Sequence, residues 1–93
     1  VKLSFKPEKI EEFLMNFDEK KAFIRKSKGC NLLELYRDKT NTNVFFTYSY
    51  WETEQDLENY RNSDLFKGVW AKTKSLFNDK PLAWSVDKTE SLQ

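Results

Sequence analysis

"VFFTYSYW", residues 44–51, is the stretch that decides the fold, because neither of its two alternating faces is polar. Successive side chains of a β-strand point to opposite faces of the sheet. One face of this stretch carries Val44, Phe46, Tyr48 and Tyr50, and the other carries Phe45, Thr47, Ser49 and Trp51. A strand with one wet face normally alternates apolar and polar residues. Residues 44–51 therefore predict a strand whose sheet is covered on both sides.

The preceding segment predicts a second strand with the same property. In "CNLLELYR", residues 30–37, Leu32 and Tyr36 fall on one face and Leu33 and Leu35 on the other. The polar sequence "DKTNTN" separates the two apolar runs. We therefore expect an antiparallel hairpin with two apolar faces.

Apolar residues at helical spacing predict helices on either side of this hairpin. One helix is expected over about 7–27, since Pro7 suits a first helical turn and Gly29 suits the position just past the end. After the hairpin we expect a short helix over 53–61 and a longer one over 64–77.

Two residues predict a break between these last helices. Thr53 and Ser63 are typical N-cap residues, and each precedes an acidic first turn. We therefore expect the chain to end one helix near 61–63 and to begin another.

Strand patterns at the two ends complete the order β-α-β-β-α-β. Val1 to Phe5 alternate apolar and polar residues, and Pro81 precedes the apolar run "LAWSV". The length predicts a single domain over 1–93. We expect an α+β fold of the ferredoxin-like type, a four-stranded antiparallel sheet with its helices on one face. The other face needs a cover, and we expect a second copy of the chain, packed sheet to sheet in a homodimer.

The composition excludes several kinds of site. The chain has no His and one Cys, so the common structural zinc sites, a His-ligated haem and Ser–His or Cys–His nucleophiles have no ligands or base. Two glycines are too few for a phosphate-binding loop. A net charge of +1 offers no field for nucleic acid, and no apolar run is long enough to span a membrane. We therefore expect no metal, no nucleic acid and no membrane partner.

Cys30 is the lone cysteine and cannot form an intramolecular disulfide, which favours a reducing compartment. We therefore expect a cytoplasmic location, although the sequence starts at Val1 and leaves open a removed signal segment ahead of it. Because no base is available, we expect Cys30 to be a small buried hydrophobe and not a nucleophile.

"SDLFKGVWAKTKSLF", residues 63–77, carries an unusually aromatic helical stripe. The residues on this stripe are Phe66, Val69, Trp70, Thr73, Leu76 and Phe77. Such a stripe is most often plain core. The alternative is that part of it lines a cavity.

Five short stretches make the sequence similar to the antibiotic biosynthesis monooxygenase domain family. They are "GC" (29–30), "FFTYSYW" (45–51), "LENYRNSDLF" (57–66), "VWAKTKSLF" (69–77) and "PLAWS" (81–85). The resemblance spans nearly the whole chain and implies a dimeric α/β barrel, in agreement with the expected homodimer. It implies one of two activities. Some members oxidise polycyclic phenols or anthrones with O₂ and use neither metal nor flavin, and others bind and degrade haem.

Haem-degrading members use an Asn, a Trp and an axial His, and none of the three is retained in this sequence. The axial His position falls at Trp70, the Trp position at Tyr60 and the Asn position at or beside Val1. We therefore expect no haem and no other cofactor. The resemblance then favours a cofactor-independent monooxygenase that acts on a small aromatic or polyketide-like compound.

A protein of another class is the alternative function. It would be a non-catalytic small-molecule-binding or stress-response protein that kept the fold and lost the chemistry. The absence of His favours this alternative, because no residue is an obvious general base near neutral pH. The catalytic residues are therefore left unassigned.

The resemblance also points to residues that would border a ligand pocket between sheet and helices. Relatives line their cavities at the positions of Tyr60 and Trp70, and both side chains carry a polar group that needs a partner when buried. Arg61 follows at the helix break, where its guanidinium would either hold a phenolate or carboxylate or remain solvated. The pocket candidates are Ser49, Trp51, Tyr60, Arg61, Phe66, Trp70 and Trp84.

Alternation alone leaves three of these candidates unassigned to a face. Ser49 shares with Trp51 a face that looks either into the pocket or at a partner sheet, and Trp51 ends its strand beside the second predicted helix, against which we expect it to pack. Trp84 lies on the last predicted strand and faces either the helices or the partner. Of the stripe, we expect Leu76 and Phe77 to belong to the core.

Overall fold

The computed structural model of the chain describes all residues 1–93 and contains one antiparallel sheet with helices on one of its faces. Its elements are β1 (Lys2–Ser4), a 3-10 turn (Pro7–Lys9), α1 (Ile10–Arg25), β2 (Cys30–Arg37), β3 (Val44–Trp51), α2 (Glu54–Arg61) and α3 (Asp64–Lys74). The strands lie in the order β1-β3-β2, and β3 pairs antiparallel with both neighbours. The α+β class, the hairpin and the break between the last two helices are confirmed.

The register of the strands assigns each side chain of β3 to a face. Phe45 lies opposite Leu3, and Ser49 lies opposite Leu33, so these residues share one face. Phe45 and Leu3 are buried under the helices, which identifies this face as the helix-bearing one. Tyr50 lies on the other face, which no helix covers, and is 41% exposed.

The prediction of a fourth strand after Pro81 is wrong. The sheet has three strands, and in place of the fourth strand Leu82 forms an isolated bridge with Lys2. Leu82 exchanges two backbone hydrogen bonds with Lys2, with N···O distances of 2.6 and 3.1 Å. Before the bridge, the Ser4 carbonyl accepts the backbone N–H of Asn78 at 3.0 Å and not that of Lys80, which continuous antiparallel pairing would place opposite Ser4. Leu82 nevertheless lies beside β1, where a fourth strand of this topology belongs.

The caps of α2 and α3 are those that the sequence predicts. The Thr53 hydroxyl accepts the Asp56 backbone N–H at 3.0 Å, and the Ser63 hydroxyl accepts the Phe66 backbone N–H at 3.1 Å. Both bonds satisfy amide groups that have no partner within their own helix. The third helix ends at Lys74 and not at residue 77, because the chain turns there to bring its last apolar residues to the core.

Aromatic side chains from four parts of the chain form the core between α1 and the sheet. Phe5 is fully buried, and its ring centroid lies 4.2 Å from that of Phe13 and 5.3 Å from that of Phe77. Phe45 of β3 completes the group, with its ring centroid 5.2 Å from that of Phe13. Leu76 is buried in the same cluster, as expected, although it lies past the end of α3.

Gly29 joins α1 to β2 in a conformation that other residues adopt poorly. Its φ is +83°, and no other residue of the chain has a positive φ. A Cβ at this position would also collide with the side chain of Asp56 in α2. The Gly29 carbonyl accepts the backbone N–H of Glu52 at 2.7 Å, just after β3. Gly29 therefore allows the end of α1, the hairpin and α2 to approach one another closely.

Replacing Gly29 with Ala is expected to lower the free energy of unfolding by about 2 kcal/mol, because a Cβ is disfavoured at positive φ and Asp56 must also move. Gly68→Ala is the matched control, since a Cβ there meets nothing within 4 Å. In a helix, Ala is more favourable than Gly by about 0.5–1 kcal/mol. Urea unfolding followed by circular dichroism measures both variants. Equal stabilities would contradict the role assigned to Gly29.

Candidate functional site

A cavity of about 1170 Å³ opens on the helix-bearing face of the sheet, between α1 on one side and α2 and α3 on the other. Thr47, Ser49 and Trp51 of β3 form its floor. The C-terminal segment after Leu82 borders its mouth. The floor of the cavity therefore lies on the face of β3 that also contributes Phe45 to the core, and Tyr48 and Tyr50 of the other face also border the cavity.

The wall formed by α2 and α3 is a continuous row of aromatic rings. Trp51 stacks on Tyr60 with the ring centroids 5.0 Å apart, and Tyr60 meets Phe66 edge to face at 5.3 Å. Phe66 and Trp70 are 5.9 Å apart, with their planes within 10° of parallel. Trp70 then meets Phe77 at 5.7 Å, and Phe77 packs against the core. The aromatic stripe is thus shared, because its first part borders the cavity and its last part belongs to the core.

Tyr60 presents an uncommitted hydroxyl on this wall. The hydroxyl forms no hydrogen bond with the protein, yet it is not sealed inside the core. Burial raises the pKa of Tyr60 to about 12, with a smaller contribution from the nearby Cys30. Tyr60 is therefore a neutral hydrogen-bond donor around neutral pH and not a general base.

Ser49 presents a second hydroxyl beside Trp51. The indole Nε1–H of Trp51 donates a hydrogen bond to Ser49 Oγ at 2.9 Å, so the polar group of the indole is satisfied within its own strand. Ser49 remains exposed on the helix-bearing face because the cavity lies over it. The structure thus answers the question that alternation left open, since Ser49 and Trp51 face the cavity and not a partner sheet.

Arg61 and Trp84, the two remaining candidates, lie at the edge of the cavity. Arg61 is exposed and takes part in neither of the ion pairs of the structure. Trp84 is 62% exposed on the C-terminal segment, which borders the cavity without forming a strand. Both side chains are therefore rim residues, and the walls are built by others.

The contribution of α1 to the cavity was not predicted from the sequence. Phe17, Lys20 and Ile24 line the side opposite the aromatic wall. Their spacing of three and four residues places them on one helical face, which is the signal that could have found them. The same spacing also includes Phe13, which belongs to the core, so periodicity does not separate a core position from a cavity position.

Cys30 is a buried free cysteine near Tyr60. Burial raises the pKa of its thiol, and Sγ lies 3.6 Å from the backbone oxygen of Leu32.

Nowhere in the chain do three Cys, Asp or Glu side chains come close enough to hold a metal ion. None of the helices combines the length and the apolar character that crossing a bilayer requires.

A comparison with protein-family models matches residues 1–72 to the family described as antibiotic biosynthesis monooxygenase. The chain belongs to this family. The matched residues include the floor of the cavity, the α1 side and the rings from Trp51 to Trp70. The floor and both walls of the cavity therefore belong to the antibiotic biosynthesis monooxygenase domain, and the segment after Leu82 that borders the mouth lies beyond the matched residues.

Solved structures share the fold of this antibiotic biosynthesis monooxygenase domain at low sequence identity. A conserved protein from Methanosarcina mazei is 24% identical, with a TM-score of 0.81 over 85% of this chain and 78% of that chain. A proposed antibiotic biosynthesis monooxygenase from Caulobacter crescentus is 24% identical, with a TM-score of 0.82 over 87% and 77% of the two chains. Another from Deinococcus radiodurans is 16% identical, with a TM-score of 0.83 over 99% and 93%. No curated protein matches the sequence significantly.

The three positions that the family resemblance connects with haem degradation all border the cavity of this domain. They are occupied by Val1, Tyr60 and Trp70. Val1 stands where Asn is expected, Tyr60 where Trp is expected and Trp70 where His is expected. The absence of haem binding stays a prediction.

Truncating a ring that faces a cavity should cost less stability than truncating one in the core. Trp70→Ala is expected to lower the free energy of unfolding by about 1–2 kcal/mol, because part of its face has no packing partner to lose. Phe5→Ala is the matched core variant, and its expected loss is about 3–5 kcal/mol. Chemical denaturation followed by circular dichroism compares the two. A loss for Trp70→Ala as large as that for Phe5→Ala would assign Trp70 to the core.

Proposed function

We propose that this domain is a cofactor-independent monooxygenase that oxidises a small, planar aromatic or polyketide-like compound in the cavity. The observation that carries the proposal is the row of rings from Trp51 to Trp70 along one wall of a cavity of about 1170 Å³. Stacked and edge-to-face aromatic pairs contribute about 0.5–1.5 kcal/mol beyond the burial of their surface. A planar polycyclic ligand would therefore bind more tightly than an aliphatic ligand of the same size.

Electron-rich aromatic compounds can react with O₂ without a metal or flavin, because their own carbanion or phenolate supplies the electrons. For anthrone, the reacting CH₂ carbon loses both hydrogens and gains one oxygen as a carbonyl group. The second oxygen atom of O₂ leaves as water. The protein then needs to stabilise the anion and to keep bulk water away from it. The Tyr60 hydroxyl is suited to the first task, and apolar residues such as Phe17 and Ile24 are suited to the second.

A non-catalytic binding protein is the second candidate, and the raised pKa of Tyr60 favours it. A general base works best when its pKa lies near the operating pH. Tyr60, with a pKa of about 12, keeps its proton there, and the chain has no His. A protein without a base would bind the aromatic compound and leave it unchanged, unless the compound ionises by itself.

Anthrone is the probe that separates these two functions. We expect the protein to accelerate conversion of anthrone to anthraquinone above the rate in buffer, with one O₂ consumed per anthraquinone formed. An oxygen electrode and chromatography of the product measure the two quantities. Phe23→Ala is the control variant, because Phe23 is 58% exposed on α1 and does not line the cavity. It should react at the rate of the unaltered protein.

The other results of this assay also have defined meanings. Saturable binding of anthrone without O₂ consumption above the buffer rate would establish the binding function and contradict the enzymatic one. Absence of binding would contradict both functions, because both depend on the same aromatic wall.

We also propose that the domain is a homodimer, joined through the sheet face that carries no helix. Tyr36 and Leu82 are about half exposed on this face, at 50% and 48%, beside the apolar side chains of β3. Within the strands, Lys2 and Glu34 are the charged residues of this face. Because one is positive and one is negative, twofold packing of two such faces can place each opposite the other.

Light scattering at micromolar concentration is expected to give about twice the 11.2 kDa mass of one chain. Changing both Tyr48 and Tyr50 to Glu should give a monomer, because four like charges would then meet in the interface. Phe23→Glu places a charge on the outer surface of α1 and should leave the dimer intact. A monomeric unaltered protein would contradict the proposal.

A further inference from the structure

We propose that residues 83–88 form a lid across the mouth of the cavity, and that a contact of Lys88 with Tyr50 holds this lid closed. The ligand enters and leaves when the lid opens. This inference rests on the proposed function, since it adds a controlled entrance to the ligand cavity described there. It does not depend on which aromatic compound binds or on whether that compound is oxidised.

The lid is fixed at its two ends. At its start, the backbone of Leu82 exchanges hydrogen bonds with Lys2 at 2.6 and 3.1 Å. At its end, Lys88 Nζ lies 4.9 Å from the centre of the Tyr50 ring, which is within the range of a cation–π contact. Every residue from Ala83 to Lys88 borders the cavity. The chain therefore passes along the mouth between these two anchors.

Between its ends the lid is weakly held. No backbone N–H or C=O group of residues 83–93 takes part in a backbone hydrogen bond. Trp84 is 62% exposed and Val86 is 75% exposed, so their burial stabilises the closed position little. A segment with these properties opens at a low cost in free energy.

The contact between Lys88 and Tyr50 is the specific interaction that keeps the lid closed. Lys88 belongs to neither of the ion pairs of the structure, so its charge is not engaged by a carboxylate. Tyr50 lies on the sheet face that no helix covers, and its ring is 41% exposed beside the cavity. A cation–π contact at such a partly exposed site changes an equilibrium by about two- to fivefold. Without the contact, the open fraction of the lid should rise by that factor.

Three lysine variants test the contact. Lys88→Gln removes the cation and keeps an uncharged polar chain at the same position. Lys88→Arg keeps a cation over the ring and should behave as the unaltered protein does. Lys80→Gln is the matched control, because it removes the same charge from an exposed residue just ahead of Leu82 that does not line the cavity. Light scattering establishes that all variants have the same mass under the assay conditions.

Cleavage by chymotrypsin after Trp84 measures the open fraction without any ligand. A protease needs a segment that has left the surface, and its rate follows the open population when closing is faster than cleavage. We expect the rate of this cleavage, followed by mass spectrometry, to rise about two- to fivefold in Lys88→Gln. It should stay unchanged in Lys88→Arg and Lys80→Gln.

The binding kinetics of anthrone measure the control of entry. Under argon, where anthrone is not oxidised, stopped-flow quenching of tryptophan fluorescence gives the rate constants of association and release. A lid limits both directions. Lys88→Gln should therefore raise both rate constants by the same factor of about two to five and leave the dissociation constant unchanged. A side chain that only contacts the ligand would change the dissociation constant instead.

The outcomes separate this inference from the proposed function. Unchanged cleavage in Lys88→Gln would overturn the contact that closes the lid. Faster cleavage with unchanged anthrone kinetics, or weaker binding with an unchanged association rate, would overturn the control of entry and leave the ligand cavity standing. If anthrone binds to none of these proteins, the proposed function fails and the inference fails with it.

Discussion

The pleat of β3 is the constraint on which the rest of the structure depends. Because its side chains alternate, one strand supplies the centre of the core through Phe45 and the floor of the cavity through Ser49 and Trp51. Phe46, Tyr48 and Tyr50, which alternate with them, lie on the face that no helix covers. A shift of β3 by one residue would exchange all of these roles at once. The pairing of β3 with both neighbours prevents such a shift, because it fixes the register on each edge.

Much of the fold could be predicted because its signals are local. The hairpin follows from two apolar runs around a polar turn, and the starts of α2 and α3 follow from their caps, Thr53 and Ser63. The fourth strand could not be predicted correctly, since its existence depends on a partner. "LAWSV" has the composition of a strand, but only Leu82 finds hydrogen-bonding groups beside β1. Composition describes the preference of a segment, whereas pairing depends on what another segment offers.

The site was only half predictable, for a related reason. The family resemblance pointed to Tyr60 and Trp70, and both border the cavity. The side formed by Phe17 and Ile24 was missed, because the apolar stripe of α1 looks the same where it packs and where it faces a cavity. The sequence did not show where the hydroxyl of Ser49 lies. The strand register places it on the helix-bearing face, and there it accepts a hydrogen bond from the indole of Trp51. Periodicity identifies a face, and only the neighbouring elements show what lies over that face.

The row of rings does not end at the cavity. Trp70 contacts Phe77, Phe77 contacts Phe5, and Phe5 is the most deeply buried side chain of the protein. A compound that fills the cavity therefore contacts a row of rings that continues into the core between the helices and the sheet. Any ligand that binds the folded state in preference to the unfolded state raises the melting temperature. The melting temperature of the purified protein therefore reports ligand binding. A thermal-shift screen of a compound library can search for the natural ligand without an assay of the reaction.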